Sequence, residues 1–161
     1  MALFAKSRID ALNLVEAPGG FRDSHSICGI VELWRQRCRA ERLPARHDLP
    51  TAALRPWIGN VSLVDVRQDP PGFRWRLVGT HVALQMGRDV TGRDFADLYR
   101  GRILADYLRL FTASADRRRP VYYRGDLEFL GREFVAFRTV HLPLADDGRT
   151  VNMLLVHHDF V

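Results

Sequence analysis

The chain has 161 residues, 47% hydrophobic and 27% charged, a size and balance that fit one folded domain with its own core and exclude a disordered segment. A sensor fused to a separate catalytic domain does not fit in that length, so any output is expected to act in trans. The net charge of +5 raises nucleic acid or an anionic membrane as partner, but it comes from 23 arginines (24 basic residues less the single lysine, Lys6) interleaved with acids in every segment; without a groove-reading motif this speaks against nucleic acid.

Residues 1–23 read as a lead segment ending in Pro18-Gly19-Gly20, followed by a single domain over 24–161. The lead lacks the uninterrupted apolar core of a signal peptide and no later run reaches membrane-spanning length, so a cytoplasmic protein without a membrane span is expected. A helix is predicted over 24–42, where Ile27, Ile30, Val31, Trp34 and Cys38 recur at three and four. Its apolar stripe either packs on the sheet or presents Ile27, Val31 and Trp34 to a partner as an interaction helix. Cys28 and Cys38 lie ten residues apart on it, about 15 Å along its axis, which rules out a disulfide between them there.

Asp48-Leu49-Pro50 opens a short helix through Leu54 and Trp57, and a strand follows over 60–66. Beyond the turn Asp69-Pro70-Pro71-Gly72, Phe73, Trp75 and Leu77 alternate with Arg74 and Arg76, the two-residue period of a strand with one face inward. Thr80 is the expected N-cap of a helix barely two turns long that stops at Gly87, and Asp94 the expected cap of another through Phe95, Leu98 and Tyr99. The longest helix of the middle region, over 102–115, carries the stripe Ile103, Leu104, Tyr107, Leu108 and Phe111, placed to close a pocket.

The last third reads as three strands, over 121–129, 134–144 and 151–160, joined by Leu130-Gly131-Arg132 and Asp146-Asp147-Gly148. A two-residue turn at Asp147-Gly148 sets Leu142 opposite Met153, Val140 opposite Leu155, Arg138 opposite His157 and Ala136 opposite Asp159. A two-residue first turn then adds Val121, Tyr123 and Gly125 to that face, and puts Tyr122, Arg124, Phe137, His141, Val156 and His158 on the other. The first, more apolar face is expected to meet the small helices, and the mixed face to be covered in part by the N-terminal helix.

At one end of the apolar face Arg138, His157 and Asp159 cluster beside Gly125. This predicts the polar end of a ligand pocket that also uses Tyr123, Trp75 and Met153, with Arg138 holding an anionic or carbonyl group. The alternative is an ion-pair network at the sheet's rim. A rival enzyme reading, a small cone-shaped α+β fold, makes His157 with Asp159 a general base in an apolar pocket. No metal is expected: His157 and His158 point to opposite faces, and the register above sets His141 roughly 13 Å from His158. No nucleophile elbow, P-loop or dinucleotide fingerprint occurs.

Taken together, residues 43–66, the stretch FRWRLVGTHV with GRDVTGRDFADL, and HLPLADDGRTVNMLL resemble the bacterial single-domain PAS proteins over roughly residues 30–160. The resemblance implies an α+β fold, a five-stranded antiparallel sheet with short helices over one face, and a non-catalytic sensor or interaction module that binds a small ligand or a partner. That partner would be a second copy in a homodimer, or a signalling protein such as a kinase or regulator. Family members that hold haem use a histidine on the long helix, and those that hold flavin a cysteine on a short one. Neither residue is present at those places, so the sequence supports neither cofactor; His81, at the start of a short helix, stands as a candidate ligand against a capping role.

Overall fold

In the computed structural model, residues 19–127 and 131–161 are described, without the side chains of 126–127 and 132–134. Most of the predicted lead segment lies outside them. The elements are α1 (His25–Arg37), β1 (Val61–Gln68), β2 (Pro71–Val78), α2 (Thr80–Met86), α3 (Phe95–Leu98), α4 (Gly101–Arg117), β3 (Val121–Leu127), β4 (Arg132–Leu144) and β5 (Met153–Phe160), with short 3-10 turns between α1 and β1. The five strands form one antiparallel sheet in the order β2-β1-β5-β4-β3. Helix α1 packs on one face and α2–α4 on the other, the α+β architecture expected.

Covering both faces explains the strand composition. The first six residues of β5 are all buried, as in a strand sandwiched between two layers. On the α1 side, Ile27, Ile30, Val31 and Trp34 are buried, each contributing on the order of 1.5–3 kcal/mol. Trp34 donates its indole N–H to the carbonyl of Pro143 at 2.9 Å. The predicted interaction residues Ile27, Val31 and Trp34 are therefore spent inside the chain's own core. Helix α1 stops at Arg37 rather than 42, because residues 39–42 turn back on themselves with Ala40 at φ +54°.

The termini of the short helices also differ from expectation. Gly79, not Thr80, occupies the N-cap of α2, and a Cβ there would lie 2.5 Å from the Gly59 carbonyl oxygen, so only glycine fits the junction. Gly87 does end α2, in the left-handed conformation at φ +80°. Asp94 sits at the N-cap of α3 but makes no capping bond; its carboxylate pairs with Arg67 instead. Segment 92–94 hydrogen-bonds along β2 and covers that sheet edge.

Three irregularities set the register. Arg76 is the extra residue of a bulge against Leu63 and Val64, so Phe73 and Trp75 are inward while Leu77 turns outward and Val78 takes the inward place. The connection between β4 and β5 is not a two-residue turn but an eight-residue loop, 145–152, built around the Asp147 carboxylate, which accepts from the backbone of Arg149 and Thr150. Pairing accordingly slips by two: Arg138 faces Asp159, Val140 faces His157 and Leu142 faces Leu155, which leaves the faces of β4 and β5 as predicted. The β3–β4 hairpin is the opposite case. A register shift at Asp126/Leu127 flips the parity, so Tyr123 pairs with Thr139 and Gly125 with Phe137.

Candidate functional site

Between the sheet and helices α2–α4 lies a partly open cavity of about 50 Å³. Its floor is Trp75 and Val78 from β2, Tyr123 from β3, Phe137, Thr139 and His141 from β4, and Val156, His158 and Phe160 from β5; Val82 and Met86 of α2, Val90, and Asp106, Tyr107, Leu110 and Phe111 of α4 form the roof. The period of two on each strand and of three and four on α4 puts these residues on facing surfaces. Aromatic contacts fix the walls: Trp75 and Phe111 meet edge to face at 5.9 Å, and Phe111 lies 4.7 Å from the His141 ring. Around the cavity, Tyr99 stacks on Tyr107 at 4.3 Å and accepts the Trp75 indole N–H at 3.1 Å.

The polar groups of the cavity have distinct states. Ser114 Oγ donates to the Leu110 carbonyl at 2.9 Å, so it accepts from His141 Nδ1–H at 2.9 Å, and His141 Nε2 is left to accept from Thr139 Oγ1 at 3.3 Å. His141 is thus a fully used, neutral core histidine, its pKa pushed down to about 3 by burial and then by His158. His158 stacks on Phe160 and is also held neutral, down to about 3, by burial first and His157 second. Unlike His141, it has a buried Nδ1 with no hydrogen-bond partner among the described residues, and Asp106 Oδ2 is in the same state. The arginines beside Asp106, Arg102 and Arg109, stand off at 3.8 and 3.9 Å.

Only two predicted ligand-site residues, Trp75 and Tyr123, line this cavity, while Gly125 lies against the rings of Phe137 and Tyr123. A Cβ on Gly125 would meet Phe137 Cζ at 2.8 Å, so the missing side chain makes room for rings, not for a ligand. Met153 is buried under the other face, paired with Leu144. Arg138, His157 and Asp159 do come together, but on the α1 side of the sheet. There Arg138 donates to Asp159 Oδ2 at 2.6 and 3.1 Å and to Asp23 at 2.9 Å, Ser24 Oγ donates to the same Asp159 oxygen at 2.8 Å, and Ser26 Oγ meets His157 Nε2 at 2.6 Å. The face expected to meet the small helices meets α1 instead, and the cluster is the ion-pair network of the alternative reading. It fastens the first turn of α1 to β5.

The same geometry disassembles the general-base dyad. Among the described residues His157 Nδ1 has no hydrogen-bond partner, and Asp159 Oδ2 is occupied by Arg138 and Ser24. Burial also lowers the His157 pKa, to about 4, with Asp159 opposing that shift. The true register corrects the histidine spacing as well: His141 opposes Val156, two residues from His158 rather than four. Among the described residues, no three His, Cys, Asp or Glu side chains gather as a metal site would need.

A model of the PAS domain family matches residues 22–156. The chain belongs to the PAS domain family. PAS domains are sensor and interaction modules, generally non-catalytic, and commonly mediate protein association. Among solved structures, the PAS domain of an HTR-like protein from Haloarcula marismortui aligns at 16% identity over 72% of this chain and 95% of that one, with a TM-score of 0.38, too low to carry an argument. No curated protein matches. Among the described residues, no helix of this PAS domain is long and apolar enough to cross a membrane.

Haem and flavin do not fit the residues present. Helices α2–α4 contain no cysteine, and His81, their one histidine, has Nδ1 on Asn60 Oδ1 at 3.1 Å and Nε2 on Gln85 at 3.2 Å. The cavity, at about 50 Å³, is a fraction of the several hundred Å³ of a drug-sized site.

Cavity residues Phe137, Thr139, Val156, His158 and Phe160 escaped the sequence reading as site residues. Their signal was present, as the alternate residues of two strands, but it was assigned to the wrong layer.

Proposed function

We propose that this PAS domain is a cytoplasmic, non-catalytic sensor that takes a small molecule into the cavity under α2–α4 and passes its occupancy to a partner, a second copy of the chain or a signalling protein such as a kinase or regulator. The observation that carries the reading is the cavity itself, apolar over most of its wall and holding buried polar atoms of His158 and Asp106 that, among the described residues, have no hydrogen-bond partner. A ligand switches such a module only by binding two conformations unequally. Helix α1 is the element proposed to move, because Ser24 and Ser26 hold it to Asp159 and His157 of β5, while the intervening and flanking residues of that strand, Val156, His158 and Phe160, line the cavity.

The test is made on the purified full chain, by mass spectrometry of its denatured extract and by amide exchange of α1 before and after the extracted compound is returned to refolded protein. A compound released in stoichiometric amount, whose return slows or speeds exchange in α1, is expected. Release of nothing, or exchange in α1 that ignores the compound, overturns the proposal.

A further inference from the structure

We infer that the ligand of this cavity is a compact, uncharged molecule, no larger than one small ring, that presents an N–H or O–H donor to Asp106 Oδ2 or to His158 Nδ1. The inference rests on the ligand-site reading above and adds the chemistry of the occupant.

Size comes from the space available. A dry cavity of about 150 Å³ takes benzene, so one of about 50 Å³ takes less, or a small ring once a flexible wall residue such as Met86 gives way. Charge comes from the lining. Among the described residues it contains no lysine or arginine, and both histidines stay neutral at pH 7, so none of them offsets the desolvation of an anion. A cation would find Asp106, but Arg102 and Arg109 already stand 3.8 and 3.9 Å from that carboxylate and offset its charge.

Polarity comes from what is unsatisfied. The polar groups of His141 and Thr139 bond to each other and to Ser114. His158 is 9% exposed, and neither its Nδ1 nor Asp106 Oδ2 accepts a hydrogen bond from any of the described residues. A carboxylate oxygen only accepts, and the neutral imidazole offers Nδ1 as an acceptor once its proton is on Nε2. A ligand donor therefore meets an acceptor at either atom, whereas an isosteric ligand that only accepts leaves Asp106 Oδ2 orphaned and is met by His158 only in the other tautomer.

The experiment titrates the full-length protein with three five-membered rings, pyrrole (an N–H donor), furan (the same shape, an acceptor only) and protonated pyrrolidine (a cation), reading Kd from NMR shifts at pH 7.5. Pyrrole is expected to bind about tenfold or more tighter than furan, with pyrrolidine weaker than pyrrole. In Asp106→Leu, which removes the obligate acceptor, the preference for pyrrole is expected to collapse while furan affinity is retained; His158→Phe, which keeps the ring stacked on Phe160, is expected to narrow it. Equal binding of pyrrole and furan, or a preference surviving both substitutions, overturns the donor assignment, and tightest binding by pyrrolidine overturns the uncharged class. Failure of all three to bind overturns the cavity as a ligand site, a separate result.

Discussion

Replacing Arg138 by alanine separates a structural latch from a ligand contact. The Arg138 side chain is 12% exposed and directs two donors at Asp159, itself 22% exposed, with further donors at the Gly20 carbonyl (2.6 Å) and Asp23 (2.9 Å). Its loss leaves Asp159 mostly buried, with the Ser24 hydroxyl as its remaining hydrogen-bond donor among the described side chains. Breaking one side of a fully buried pair costs about 3–5 kcal/mol, and a lost charge-assisted hydrogen bond about 1.5–3 kcal/mol. With Asp159 partly wetted, about 2–3 kcal/mol is expected, a fall in Tm of roughly 4–12 °C for a domain of this size. Asp23, 74% exposed in the same network, should contribute under about 0.5 kcal/mol when changed to alanine. Urea unfolding followed by tryptophan fluorescence measures both, and the Arg138→Ala/Asp159→Ala cycle isolates the pair. An Arg138→Ala protein within about 0.5 kcal/mol of wild type would refute the latch.

Acidification should weaken the fold through its buried histidines. His141, His157 and His158 have folded pKa values lowered to about 3, 4 and 3, so the unfolded chain binds the extra protons; stability is complete above pH ~6.5 and falls as pH drops toward 4, by up to about 1.4 kcal/mol per pH unit for each ring. Denaturant titrations at pH 7.5, 6 and 5 check this, and a flat profile contradicts it. Gly79→Ala forces a Cβ to 2.5 and 2.7 Å from the carbonyl oxygens of Gly59 and Val61, so a loss of about 1–3 kcal/mol or insoluble protein is expected from expression and melting. Trp34→Ala empties a buried site and orphans the Pro143 carbonyl, at about 3–5 kcal/mol; a soluble variant of unchanged Tm would return Trp34 to the role of a partner contact.

Much of the fold is legible in the residues, because short helices ending at glycine and alternating strands are local events. Gly87 and the Phe73/Trp75 alternation needed nothing beyond their neighbours. The layer assignment was not local. In β5, Val156 and His158 look toward α4 while Leu155 and His157 look toward α1, and because both layers bury the strand, polarity does not say which is which. A single register shift at Asp126/Leu127 then moved Tyr123 and Gly125 to the side opposite Arg138. The predicted pocket mixed residues from both faces of one sheet. Trp75 and Tyr123 fell in the real cavity, whereas Arg138, His157 and Asp159 formed a cluster as expected but beneath α1.

The three tryptophans supply the most direct test of where a ligand sits. Each indole N–H has its own place: Trp75 on Tyr99 beside the cavity, Trp34 on Pro143 under α1, and Trp57 on the Ser26 carbonyl at the start of α1. In a ¹H–¹⁵N spectrum recorded through a pyrrole titration, the Trp75 indole resonance should shift with saturation and by more than either of the others. Saturable binding that leaves Trp75 unmoved, or moves only Trp34, would contradict a ligand site between the sheet and α2–α4.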